Sequence, residues 1–242
     1  MSGRGSWPIS GAGGTKKYGN PNKPGPYYYL GSGTKPADRK RTADEYAVWK
    51  AVAAYQVALN RRLNTRLLVD GIFGPVTSKT VTKFQNLHED KTGLPWGGIG
   101  PDTSRALLIP DLRAIVKANG NELINNRMVA GTVKHESLWD AGAIGYLDDN
   151  DYGLAQINGT AHPDLSKAER LNPSITFQFV CDYYNNALAQ LNNNVRDAVA
   201  SYNLGIGGAK RWISQGRPDL YVPSGQVRAR NVKNYIDSIL AG

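Results

Sequence analysis

The chain is 242 residues long, room for one large domain or two small ones, and its 40% apolar and 20% charged content is that of an ordinary soluble globular protein. No stretch approaches the roughly 20 apolar residues of a membrane span, and Met1-Ser2-Gly3-Arg4-Gly5 leads into no apolar signal region, so neither membrane insertion nor a secretory leader is expected. The net charge of +9 is uneven: residues 1–42 carry eight Lys or Arg against Asp38 alone, residues 43–110 eight against six, and residues 111–242 thirteen against thirteen.

Residues 1–42 are rich in Gly, Pro, Ser, Lys and Tyr and show no helix or strand periodicity. Such a segment buries too little apolar surface to offset chain entropy and is expected to be a flexible basic arm. Trp7, Tyr18 and Tyr27-Tyr28-Tyr29 are interleaved with its cations, which suits a segment that orders against a partner. The field of such an arm attracts nucleic acid, anionic wall polymer or an acidic protein without distinguishing them.

The texture changes at residue 43. Val48, Val52, Tyr55 and Leu59 recur at the spacing of one helical face. Asp70-Gly71-Ile72-Phe73-Gly74-Pro75 then reads as a tight turn leading into a second helix, with Pro75 at its first position and Val76, Thr80, Val81 and Phe84 on one side. A weaker copy follows at Gly97-Gly98-Ile99-Gly100-Pro101-Asp102-Thr103, with Ala106, Leu107 and Leu108 after it. The pair is an internal repeat. Ile109-Pro110-Asp111 reads as a short join to the rest of the chain.

Beyond it the pattern is helical. Leu123, Ile124, Met128, Val129 and Val133 form an apolar stripe ending near Glu136. Further helices are expected over about 174–192, Val195 to Tyr202, and about Val227 to Leu240. No long alternating pattern competes, so the fold class is mainly α. Cys181 is the one cysteine; it lies among Phe177, Phe179, Val180 and Tyr183 and reads as a buried thiol rather than a nucleophile. His88, His135 and His162 show no ligand spacing, and no metal or cofactor is expected.

Two resemblances organise these features. Residues 43–110, through Asp70, Gly71, Phe73, Gly74, Pro75 and Thr77, resemble the three-helix peptidoglycan-binding domain of wall hydrolases. The second copy departs, with Gly97 where an aspartate is usual and one residue fewer before Gly100. Within residues 111–242, four features stand in order: Glu136-Ser137 at a helix end, Gly153-Leu154-Ala155-Gln156-Ile157 after an acidic turn, Asn172-Pro173 opening a long helix, and Ala200-Ser201-Tyr202-Asn203-Leu204-Gly205 closing another. This order resembles the lytic transglycosylase and goose-type lysozyme superfamily, whose fold is a lysozyme-like α-helical domain.

The chemistry explains the residue types. Cleaving a glycosidic bond needs a carboxylic acid still protonated near neutral pH, and burial beside apolar groups such as Leu138 and Trp139 would provide one. The resemblance implies Glu136 as the acid and later base. It implies Ser137, Gln156, Ile157, Tyr202 and Asn203 at the sugar site, and packing roles for Gly153 and Gly205. Asp148-Asp149-Asn150-Asp151 offers a water-positioning carboxylate, Asp149 or Asp148, which inclines the reading to hydrolysis. Asn158 stands where a second aspartate would be, and transglycosylation by the substrate's own groups stays open.

The expected function is thus a muramidase that cuts bacterial peptidoglycan between N-acetylmuramic acid and N-acetylglucosamine. The wall module and the lack of a signal resemble a bacteriophage lysin. It would be held in the host cytoplasm before release, or carried in the virion with residues 1–42 against phage tail proteins, and no nucleic acid partner is expected. The rival of another class is a wall-binding tail protein with a dead catalytic fold.

Overall fold

The computed structural model describes residues 28–34, 40–92, 97–145, 150–227 and 229–241. In chain order these form α1 (Ala43–Leu63), α2 (Pro75–Leu87), α3 (Glu89–Thr92), α4 (Pro101–Asn119), α5 (Asn126–Ser137), β1 (Asp151–Tyr152), β2 (Ile157–Asn158), α6 (Lys167–Arg170), α7 (Pro173–Gln190), α8 (Val195–Leu204), α9 (Ile206–Ser214), β3 (Leu220–Tyr221), β4 (Arg230–Asn231) and α10 (Val232–Ala241). The fold is mainly α, as expected. The strands are two antiparallel hairpins of two-residue strands, β1 with β2 and β3 with β4.

The helix starts follow local capping chemistry. Thr42 and Glu45 form a reciprocal capping box at α1, while Asn125, Asn172 and Asn194 cap α5, α7 and α8 with their side-chain oxygens. In α1 the expected stripe Val48, Val52, Tyr55 and Leu59 is buried. In α2 the buried side is Thr77, Val81, Phe84 and Gln85, and Val76 is 69% exposed, against expectation. Thr77 turns inward because its hydroxyl accepts from the Gln56 amide at 3.3 Å.

That amide explains the internal repeat. Buried Gln56 of α1 accepts from the Gly71 N–H (2.8 Å) through its carbonyl oxygen and donates to the Ile72 carbonyl (3.0 Å). Buried Gln85 of α2 does the same one repeat later, accepting from the Gly97 N–H (3.0 Å) and donating to the Gly98 carbonyl (2.9 Å) and Thr103 (3.1 Å). Gly97 therefore matches Gly71, both left-handed at φ +77° and +73°, and Ile99 matches Phe73 in the core. The apparent missing residue in the second copy comes from aligning Gly97 with Asp70. Counted back from Gly-Pro, the two turns have equal length.

Three further expectations differ. The end of the basic arm is structured: Tyr28 exchanges backbone hydrogen bonds with Ile99, and residues 31 and 32, in the turn that follows, bond Phe73, so one short segment pairs with the equivalent residue of both repeats. Tyr28 is 2% exposed, its ring lies 5.3 Å from that of Tyr55, and its hydroxyl donates to Asp140. Trp7, Tyr18 and Tyr27 lie outside the described residues. The join expected at 109–111 is the middle of α4, an unbroken helix in which Pro110 occupies an exposed position. The last helix begins at Val232 rather than near Val227, because β3 and β4 pair across residues 220–231 and Val227 stands in the exposed loop between them.

One hydrophobic core runs through both halves. It joins Val52, Leu59, Phe84 and Leu107 to Met128, Val133, Phe177, Val199 and Ile236. Cys181 is fully buried in it, as its neighbours implied.

Candidate active site

Glu136 occupies the last turn of α5. Met128, Val129 and Val133 bury one face of that helix, and Gly131 lets α10 approach so closely that an added Cβ would meet the Ile239 carbonyl oxygen at 2.2 Å. This contact sets Tyr235 of α10 beside the acid, its hydroxyl donating to Glu136 Oε1 at 2.6 Å. Burial pushes the Glu136 carboxyl up to about 7. The Tyr235 hydrogen bond opposes that rise, the negative charge of Asp151 adds to it, and the positive charge of Arg230 opposes it. The result is a carboxyl group that exchanges its proton near neutrality, as a general acid requires.

Phenols surround it. Tyr202 donates to the Ala155 carbonyl (2.9 Å), Tyr183 to the Ser201 carbonyl (2.6 Å), and Tyr184 shares a 2.7 Å bond with Thr132. The Tyr202 ring lies 5.0 Å from Tyr183 and 5.7 Å from Tyr184. Burial first, and the charge of Glu136 next, hold Tyr202 and Tyr235 well above the usual phenol range. Both remain neutral donors throughout the working pH range.

The structure brings together some of the residues picked from sequence. Tyr202 stands near Glu136, and Asn203 beside it accepts from Arg230 Nη1 through both its backbone carbonyl and, at 3.1 Å, its side chain. Gln156 is half-buried in the turn between β1 and β2 at φ +48°, with its amide donating to the Gly153 carbonyl (3.0 Å). Ser137 and Ile157 are each 1% exposed, and the Ser137 hydroxyl donates back to the Val133 carbonyl at 3.1 Å. Gly153, at φ +75°, packs against the Arg170 carbonyl, where a Cβ would come within 2.1 Å. Asp148 and Asp149 lie outside the described residues. Among the described residues no group of three or more His, Cys, Asp or Glu could hold a metal.

Sequence reasoning missed Tyr235, Arg230 and the particular importance of Asp151. Asp151 heads β1, pairs across the hairpin with Asn158, and accepts from the Asn158 amide at 2.8 Å. Position 158, read as a departure from an aspartate, instead holds the one carboxylate of this hairpin. Tyr235 shares its helix face with Val232, Ile236 and Ile239 and so resembles ordinary core. Arg230 is delivered by the β3–β4 hairpin, whose two-residue strands leave no periodic signal.

The turn after Glu136 is unusual. Leu138 and Trp139 are consecutive left-handed residues, at φ +52° and +68°, which costs on the order of 1–2 kcal/mol each. Two groups from the N-terminal half hold it: the Ser104 hydroxyl donates to the Trp139 carbonyl, and the Tyr55 hydroxyl accepts from the Ala141 N–H at 3.2 Å. Trp139 then packs edge-on to Phe177, 6.4 Å between centroids.

A helical fold carrying a half-buried glutamate that exchanges its proton near neutrality, among neutral phenols, holds the kind of acid that glycosidic cleavage needs. Residues 113–219 match the family model of the transglycosylase SLT domain, a stretch that takes in Glu136, Gln156, Tyr202 and Asn203. The chain therefore carries an SLT domain and is a peptidoglycan-cleaving enzyme. No curated protein matches the chain.

Proposed function

We propose that the chain cleaves the β-1,4 bond between N-acetylmuramic acid and N-acetylglucosamine, with Glu136 as the general acid, by lytic transglycosylation. The observation that carries this reading is the Glu136 carboxyl, raised to about 7 and hydrogen-bonded by a neutral Tyr235. In the first step Glu136 gives its proton to the glycosidic oxygen, and the C1–O bond breaks as an oxocarbenium-like charge develops on the muramic acid. The Glu136 carboxylate then takes the proton of that sugar's 6-hydroxyl, whose oxygen closes onto C1. The product is a 1,6-anhydro end, and the acid is restored.

Asp151 supports a second reading. A carboxylate whose charge bears on Glu136, held by Asn158, could orient a water for hydrolysis to a reducing end. Mass spectrometry of the released fragments separates the two routes, since an anhydro end is one water lighter. Anhydro ends are expected; reducing ends lost in Asp151→Asn would favour the hydrolytic route.

In the same reading, residues 43–110 hold the wall, supported by the repeated Gly-Pro turns and their three-helix setting. A phage-lysin role, in lysis or in entry, is supported by the surplus of seven positive charges in residues 1–42, which suits docking on an acidic tail protein. Recovery of the protein from purified virions tests the tail-borne form.

A further inference from the structure

Helix α1 has a second face. Opposite its core stripe, Tyr46, Trp49, Lys50, Ala53, Val57 and Arg61 follow one another at helical spacing, and each is half-buried or exposed. Lys50, Ala53, Val57 and Arg61 form one wall of an open groove of about 270 Å³, closed on other sides by Val69 and by Pro173 at the start of α7. The groove thus lies between the N-terminal helices and the SLT domain.

A row of cations and rings continues from it. Arg41 lies 4.9 Å from the centroid of Trp49, and Lys50 lies 5.1 Å from Trp49 and 5.8 Å from Tyr46. Lys167 lies 5.8 Å from Tyr46 and 4.4 Å from Tyr152, and Arg170 lies 5.0 Å from Tyr152. Tyr152 is the neighbour of Asp151 in β1, so the row leads from the groove to the strand whose Asp151 charge bears on Glu136. Two ammonium groups, Lys50 and Lys167, share one tyrosine ring, and among the described residues neither forms an ion pair with a carboxylate. Asp111 also lines the groove, but it is paired with Arg61 and Arg62 (3.7 and 2.7 Å); rings hold the other cations in place, and the surplus of positive charge along the row leaves a field that attracts an anion.

We propose that this groove and cation row form an accessory site for the stem peptides of the peptidoglycan strand being cut. The occupant follows from the lining: Ala53, Val57 and Val69 offer a shallow apolar wall suited to small alanine side chains, and Lys50 and Lys167 meet the free carboxylates those peptides carry. A strand stripped of its peptides keeps only the lactyl carboxylate of each muramic acid, held close to the sugar, and once that carboxylate is capped nothing is left for the ammonium groups to pair with. The proposal rests on the peptidoglycan-cleaving reading above and adds that the enzyme reads the peptide as well as the sugar.

The test uses the full chain carrying Glu136→Gln, so that the polymer survives. Its binding to purified peptidoglycan, freed of accessory wall polymers, is measured by sedimentation against the same glycan stripped of stem peptides by an amidase, with the lactyl carboxylates that the amidase frees capped as amides. Adding Lys50→Gln or Lys167→Gln should weaken binding to the peptide-bearing polymer about two- to fivefold, as expected for losing one partly screened ion pair, and leave binding to the stripped glycan unchanged. Circular dichroism of each variant checks the fold. Unaltered binding to the peptide-bearing polymer, an equal loss on both polymers, or binding only to walls that retain phosphate polymers would overturn the proposal. Failure of the underlying reading looks different: the wild-type chain would then release no sugar from either preparation.

Discussion

In the proposed mechanism a single proton, that of Glu136, decides activity. With the carboxyl raised to about 7, the acid form predominates below that pH, and kcat/KM should fall as pH rises through about 7. Tyr235 donates to the carboxylate and thereby lowers its pKa, so Tyr235→Phe should move the alkaline limb of the pH profile upward. A pH–rate profile of the two proteins checks both. Stability carries the same signature. The folded pKa exceeds the unfolded value of 4.5, so the contribution of this group is complete below pH 4.5 and is lost as pH rises toward 7. Glu136→Gln should therefore be more stable than wild type at pH 8, by about 2 kcal/mol, in denaturant titrations. The grouping of Glu136 with Tyr202 and its neighbour Asn203 was legible in the sequence because each sits in a short motif. Tyr235 and Arg230 were not, because they reach the acid across about a hundred residues and each looks locally like core or surface.

Between single residues and the whole chain, the recurring unit is a buried glutamine reading a Gly-Pro turn. Gln85 satisfies a backbone N–H and a backbone carbonyl at once, and Gln85→Leu would leave both buried and unpaired. Such groups cost about 1–3 kcal/mol apiece, so the variant should lose at least ~2 kcal/mol of unfolding free energy, measurable in urea. The existence of the repeat was legible, but its alignment was not, since the glutamine that fixes it lies outside the turn. Helices α1, α7 and α8 could be read from their periodicity because each packs one face on the core. Helix α4 could not, since Pro110 marks a break locally and only packing from Ile109 to Val116 carries the helix through it. Similarly, nothing near residues 28–32 announces the bridge of Tyr28 to Ile99 or the bonds of residues 31 and 32 to Phe73. Those partners are supplied by turns far along the chain.

As a whole, the molecule has one core across the boundary that composition suggested. Tyr55 and Ser104 of the N-terminal helices hold the strained turn that follows Glu136, and Tyr28 bonds Asp140 of the same turn. Unfolding should accordingly be a single transition, with tryptophan fluorescence and far-ultraviolet circular dichroism coinciding in urea; two separated transitions would mean that the halves fold independently. The central claim is that Glu136 supplies the proton that breaks the glycan. It is tested most directly by the rate at which Glu136→Gln, shown to be folded, releases soluble fragments from purified peptidoglycan. The rate should fall by about 10²–10⁴-fold relative to wild type, the span a positioned general acid contributes. A variant that still cleaves at a rate close to wild type would contradict the assignment.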